Sequence, residues 1–257
     1  MRLVYSAPSE LFSSRGRRMV RGIWTRLILL IATLACSLPA LALGVASPGN
    51  DFVMRFARMW SRIMLRTVGA EVIYDGLEQV ATGDPRIFIA NHQSYVDIWA
   101  LIRVLPLTAR FVAKQELRRV PVLGWAMAKS DFVFVDRAHR DRAIQSLQEA
   151  SRKIREGRSV VLFAEGTRGR TGRLQPFKKG PFYLALGAGV PIVPVAISGS
   201  GKVMGVGSFR VRPGIVQVHF LEPIEVEPHL PNDVAGLQTR VHDIIREQLE
   251  PAAASSS

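Results

Sequence analysis

The 257-residue chain reads as an α/β protein, a mostly parallel sheet covered by helices, with a helical membrane anchor at its N-terminus. Three observations predict this. From Gly69 onward, short β-rich apolar runs alternate with segments of helical periodicity, the pattern of strands joined by helical crossovers. Polar clusters follow several of those runs directly, as they do where strand ends carry ligand-binding loops. Ahead of the alternation lies an uncharged stretch, Leu27 to Asn50, preceded by Arg15, Arg17, Arg18, Arg21 and Arg26. The expected division is a basic segment and two-helix membrane anchor over 1–68, an α/β domain over 69–250 and a disordered tail over 251–257.

The apolar part of the uncharged stretch, Leu27 to Ala46, matches a bilayer span, and the basic residues before it put that end in the cytoplasm. Two other readings fit the same residues. Ala40-Leu41-Ala42 after a Leu-rich run resembles a signal-peptidase site. Alternatively, Pro39 kinks the helix so that it dips into one leaflet and returns through Phe52 to Val68. That second segment sets Phe52, Val53, Phe56, Met59, Trp60, Ile63, Met64 and Thr67 among Arg55, Arg58, Arg62 and Arg66. It reads as an interfacial helix on anionic lipid, which the preceding apolar run favours over the alternative of a domain helix with a solvated basic face. Strands are expected at Ala70–Tyr74, Ile87–Ala90, Arg110–Ala113, Phe132–Val135, Ser159–Phe163, Ile192–Ile197 and Val216–Phe220. Helices are expected at Ser94–Val104, Asp141–Arg155, Lys179–Leu186 and Asp233–Leu249, the second with Ala143, Ile144, Leu147, Ala150 and Ile154 on one stripe.

The net charge of +13 predicts an anionic partner. Nucleic acid is not that partner, because no helix-turn-helix, zinc finger or aromatic RNA-binding signature occurs. Residues 1–50 hold +5 of the charge beside the apolar stretch, and much of the rest gathers between Arg168 and Lys179, so membrane headgroups or phosphorylated substrates fit better. The single cysteine, Cys36, lies inside the apolar stretch and excludes a disulfide framework or a Cys-rich metal site.

His92 sits where the run Ile87 to Ala90 ends and the periodic segment from Ser94 begins. Asp97, five residues on, lies about one helical turn in, where its carboxylate can turn back to the imidazole and make it a general base. The same residues also fit a capping box, Ser94-x-x-Asp97, with an Asp suited to the helix dipole. Two more polar clusters follow expected strands. Phe134-Val135-Asp136-Arg137 ends one. Phe163-Ala164-Glu165-Gly166-Thr167-Arg168-Gly169 ends another and continues through Arg170, Arg173, Lys178 and Lys179, a glycine turn whose guanidinium groups match phosphate oxygens. It lacks the Gly-Lys-Ser/Thr ending of a P-loop. Lys114 closes a further strand at a helix start, where the dipole disfavours it, so it either meets an anion or pairs with Glu116 or Glu149.

The order Asn91-His92-x4-Asp97, Phe134-x-x-Arg137, Phe163-x-Glu165-Gly166-Thr167-Arg168 and Val190-Pro191-Ile192-Val193-Pro194-Val195 resembles the four blocks of the glycerolipid acyltransferases. The resemblance is closest to bacterial 1-acyl-glycerol-3-phosphate acyltransferases and covers roughly Val72 to Phe220. It implies His92 as general base with Asp97 orienting it. Glu165, Gly166, Thr167 and Arg168 would form the acceptor site with Arg168 on the phosphate, Arg137 and Lys114 would assist, and Pro194 would shape the pocket wall. The chain departs from the family at Asp131, usually Gly, at Ala164, usually Pro, and at Gly169, usually Ser. A carboxylate at Asp131 would be unfavourable beside a phosphate pocket.

The reaction so implied moves an acyl group from acyl-CoA or acyl carrier protein to the sn-2 hydroxyl of lysophosphatidic acid, giving phosphatidic acid by direct attack. It calls for neither an acyl-enzyme nor a metal nor a redox cofactor. The backbone amides near Gly166 or at Ser94 are candidates for the oxyanion donors. The partners are then a thioester donor, a lysophospholipid and membrane lipid, at the cytoplasmic face of the inner membrane. Other acceptors, lyso-ornithine lipid or glycerol 3-phosphate, stay open because of Asp131. A serine hydrolase would need a Gly-x-Ser-x-Gly elbow, which Ser198 and Ser200 do not provide. A non-catalytic basic membrane-binding module is the remaining alternative.

Overall fold

The computed structural model describes residues 14–46, 53–79, 83–106, 108–136, 139–207, 210–226 and 233–250. Arg137 and the expected tail over 251–257 lie outside these residues. The seven strands are β1 (Ala70–Asp75), β2 (Ile87–Ala90), β3 (Arg110–Lys114), β4 (Val133–Val135), β5 (Val160–Phe163), β6 (Ile192–Ser198) and β7 (Gly214–Phe220). The helices of the α/β part are α3 (Tyr95–Val104), α4 (Leu123–Lys129), α5 (Arg140–Arg155), α6 (Gly180–Ala188), α7 (Ser200–Val203) and α8 (Val234–Leu249). Every expected strand forms within about two residues of its expected bounds.

The strands make one sheet in the order β1-β7-β6-β2-β5-β3-β4. All neighbours run parallel except β6 and β7, so the sheet is mostly parallel. The reason lies in composition. All four residues of β2 are buried, as are the first six of β6, the burial that follows when both faces of a parallel sheet are covered. On one face Phe88, Val193, Val195 and Ile197 pack with α3 residues such as Leu101. On the other, Ile87, Ile89 and Ile192 pack with Ile154 of α5, Phe182 of α6 and Ile245 of α8. After β6 the chain turns at Gly199, with φ +81°, and a Cβ there would lie 2.1 Å from the carbonyl oxygen of Ile215, so only glycine fits.

Two helices precede the sheet: α1 (Ser14–Ala46), which runs through Pro39 as one helix, and α2 (Val53–Val68). The apolar stripe of α2 is used by the protein itself. Met64, Leu65 and Val68 join the core beneath α3, while Arg55, Arg62 and Arg66 face outward. Trp60 of α2 meets Trp99 of α3 edge-on at 6.3 Å, and its indole N–H donates to Thr33 of α1 at 3.0 Å. Arg58 donates to the carbonyl of Leu105 at the end of α3. The C-terminal half of α1 packs through Ala40 on Val53 and Ala126 of α4. Its outer side leaves Trp24, Leu27, Ile28, Leu30, Ile31, Leu34 and Leu38 exposed. Among the described residues, the segment Trp24–Leu43 is the one long and apolar enough to cross a membrane.

Candidate active site at the ends of β2 and β5

The site forms where β2, β5 and β6 end side by side. Asn91, the residue after β2, is almost fully buried and clamps β2 to β6. Its side-chain amide donates to the carbonyl of Ile197 at 2.9 Å, and the N–H of Ile197 donates back to its oxygen at 2.7 Å. This fixes the backbone from which His92 projects. Ser94 then caps α3, its hydroxyl oxygen accepting from the N–H of Val96 at 3.1 Å and its O–H reaching the carbonyl of Met204 at 2.6 Å.

Asp97 makes both sets of contacts at once. Its Oδ2 accepts from the N–H of Gln93 at 2.7 Å and of Ser94 at 2.8 Å, which completes the capping box, and it lies 2.8 Å from Nδ1 of His92. Asp97 is fully buried, and its Oδ1 has no partner among the described residues. The carboxylate therefore holds the proton of the imidazole on Nδ1 and leaves Nε2 as the basic nitrogen. The ring is fixed on its face as well, stacked on Phe163 at 3.8 Å between centroids and 14° between planes. The His92 side chain keeps 12% exposure, enough for one edge to meet a substrate.

Glu165 enters from β5. Its Oε1 accepts the main-chain N–H of His92 at 2.7 Å and its Oε2 accepts that of Gln175 at 3.3 Å. Burial pushes its carboxyl up to about 7, against the two backbone N–H donors, which lower it, while the charge of Asp97 adds to the rise. Gly166 makes the turn with φ +74°, and the amide of Gly169 donates to the carbonyl of His92 at 2.8 Å. Arg168 is drawn over the ring of Tyr95, the first residue of α3, at 3.8 Å. It borders an apolar cavity of about 410 Å³ whose walls include Leu29 of α1, Trp99 and Met204, with Arg26 at its edge.

The remaining expected residues are placed differently. Thr167 is exposed in the same turn. Lys114 ends β3 on an exposed ion pair with Glu116 at 2.8 Å, the solvated pairing that its position allowed. Pro194 is buried within β6, level with Ile89, three residues before the Ile197 clamp and away from the His92 ring. The amides expected as oxyanion donors are occupied: Gly166 donates to the carbonyl of Phe163 and Ser94 to Asp97. The N–H groups of Thr167 and Arg168 have no acceptor among the described residues. Asp131 does not border this site. It precedes β4, level through the strand register with the start of β2, and its carboxylate faces Arg158 at 3.7 Å. Its φ of +62° explains why glycine suits that position. Asn91, Phe163, Tyr95 and Gln175 contact these residues, and sequence reading gave them no role; the first three lie within or beside the quoted blocks.

Comparison with known proteins gives concordant results. A family model described as Acyltransferase matches residues 71–198. The chain is 36% identical over 197 residues to a 1-acyl-sn-glycerol-3-phosphate acyltransferase of Saccharomyces cerevisiae, covering 76% of this chain and 65% of that protein. It is 35% identical over 189 residues to the chloroplastic 1-acyl-sn-glycerol-3-phosphate acyltransferase BAT2 of Brassica napus, covering 68% and 54%. The chain thus spans about half to two thirds of the length of these curated relatives. The crystal structure of the 1-acyl-sn-glycerophosphate acyltransferase PlsC from Thermotoga maritima superposes with a TM-score of 0.78 at 25% identity, covering 94% of this chain and 98% of that one.

Proposed function

Residues 71–198 of this chain belong to the Acyltransferase family, and from that premise we propose that it acylates the sn-2 hydroxyl of lysophosphatidic acid with acyl-CoA or acyl carrier protein as donor. The observation that carries the reading is the His92–Asp97 pair, held from three sides beside an arginine that borders an apolar cavity. An alcohol is a poor nucleophile at neutral pH, so a base must take its proton as attack begins. Nε2 of His92 takes that proton while the alcohol oxygen bonds to the thioester carbonyl carbon. Asp97 stabilises the imidazolium. The C–S bond then breaks, and the imidazolium returns the proton to the departing thiolate. The amides of Thr167 and Arg168, without an acceptor among the described residues, are the donors best suited to the oxyanion between these steps.

The surroundings support a lysolipid acceptor. Arg168 offers a planar fork to a phosphate, and the cavity along Leu29, Trp99 and Met204 suits the acyl tail. Arg137 and Lys114 remain proposed auxiliaries of that phosphate and Pro194 a support of the pocket wall. With Asp131 turned to Arg158, the objection to a phosphate headgroup falls away. The exposed side of α1 supports membrane attachment. Its N-terminal arginines suit the cytoplasmic face of the inner membrane, where both donors reside.

The test is direct. Membranes containing the chain are offered labelled acyl-CoA or acyl carrier protein with a panel of lysolipids, and free thiol and lipid product are measured. Acylation of lysophosphatidate supports the proposal. Transfer only to acceptors without a phosphate refutes the substrate.

A further inference from the structure

The arginines of the 168–173 loop do not share one destination. Arg168 turns toward α1 and Tyr95, whereas Arg170 and Arg173 line a second and larger cleft on the other side of the loop, of about 1070 Å³. Its far walls are Lys202, just past the β6 turn, and the C-terminal end of α8 with Arg246 and Glu250. Arg246 is neutralised there, pairing with Asp243 at 3.0 Å and Glu250 at 3.6 Å. Arg170, Arg173 and Lys202 have no carboxylate partner among the described residues. Three cations, two from one loop and one from α7, without a carboxylate partner among the described residues and lining one concave space, favour a polyanion.

The cleft is tied to the reacting residue. Gln93, beside His92, lines it and donates from its side-chain amide to the carbonyl of Gly172 at 2.9 Å, pinning the loop that carries Arg173. Gly169 lines it too, and its N–H is bonded to the His92 carbonyl. Across the His92 strand end lies the apolar cavity, with Gly205 on the border of both spaces. One opening is therefore apolar and faces α1; the other is basic and faces away from it.

We propose that this basic cleft holds the phosphorylated nucleotide end of a coenzyme-A-type thioester, so that the two substrates approach His92 from opposite sides. The inference rests on the acyl-transfer reading and names where the donor sits. A long pantetheine arm laid over Gln93 and Gly169 brings the thioester to the imidazole, while the adenosine phosphates meet Arg170, Arg173 and Lys202. A recess walled by three chain segments suits a nucleotide better than the convex face of a carrier protein.

The experiment uses the full chain in detergent micelles, comparing wild type with Lys202→Gln and with the double variant Arg173→Gln/Lys202→Gln. Titration with adenosine 3′,5′-bisphosphate measures the site without any acyl transfer. Steady-state transfer is measured with acyl-CoA and with acyl-phosphopantetheine, which keeps the arm and lacks the nucleotide. Each lost cation is expected to weaken nucleotide binding and raise the KM for acyl-CoA about tenfold, a loss typical of one charge-assisted bond. The KM for acyl-phosphopantetheine and for the lysolipid should stay unchanged. Nucleotide binding that weakens in the variants while the chain transfers no acyl group supports the site and sinks the acyl-transfer reading instead. The proposal is overturned by nucleotide binding that is absent or indifferent to both variants, by a rise confined to the lysolipid KM, or by an equal rise with acyl-CoA and acyl-phosphopantetheine.

Discussion

Glu165 accepts the main-chain N–H of His92, so the carboxyl that follows β5 holds the histidine that follows β2. This couples the two strand ends that bear the candidate chemistry, and it does so through a group whose protonation is set by burial.

A pH dependence follows. The Glu165 carboxyl is pushed from 4.5 up to about 7 in the folded chain. Below pH 4.5 both folded and unfolded states carry the proton, so its stabilising effect is fully present. As the pH rises toward 7 the unfolded chain ionises first, and stability falls by up to about 3 kcal/mol before the folded carboxyl ionises too. Thermal melts of wild type against Glu165→Gln across pH 4 to 8 measure this. The variant is expected to lack that part of the decline, and parallel curves would exclude it.

Removal of the Asn91 side chain leaves a buried N–H and a buried carbonyl of Ile197 unpaired. Each unmet group costs about 1–3 kcal/mol, so Asn91→Ala is expected to destabilise the fold by about 2–6 kcal/mol in denaturant titrations. A loss below about 1 kcal/mol would mean that water or a neighbour replaces the clamp.

Arg168 is proposed to act on the acceptor through its planar fork, and its stacking on Tyr95 fixes the direction of that fork. Arg168→Ala and Arg168→Lys are both expected to raise the KM for lysophosphatidate about tenfold, with the KM for the donor unchanged. Steady-state kinetics with each substrate varied in turn distinguish this from a general loss. Full rescue by lysine would show that charge alone is used.

Asp131→Gly restores the residue that a φ of +62° favours and removes a weak pairing with Arg158. Stability should change by less than about 1 kcal/mol and the lysolipid KM should not move, because the position precedes β4, level with the start of β2, at the opposite end of the strands from His92. A lower KM would place the headgroup near this carboxylate after all.

How much of this was legible beforehand depended on whether the signal was local. The strands were readable because β2, β5 and β6 are buried on both faces and so carry unbroken apolar runs. The meeting of His92 and Asp97 was readable because five residues across a helix start leave little freedom. The helix α4 was not. It is short, contains Gly124 and follows Val122 at φ +64°, and it owes its formation to packing against α1. The stripe of α2 was visible, but periodicity names a buried face without naming what buries it. The split between Arg168 and Arg170 with Arg173 was invisible for a related reason: a loop has no period from which side-chain direction can be read.

The imidazole of His92 is proposed to take the proton of the acceptor alcohol. Thiol release from acyl-CoA in the presence of lysophosphatidate, measured for wild type and His92→Ala in the same membranes, tests it most directly. Turnover is expected to fall about 10²–10⁴-fold in the variant with lysophosphatidate binding retained. Undiminished thiol release by His92→Ala would contradict it.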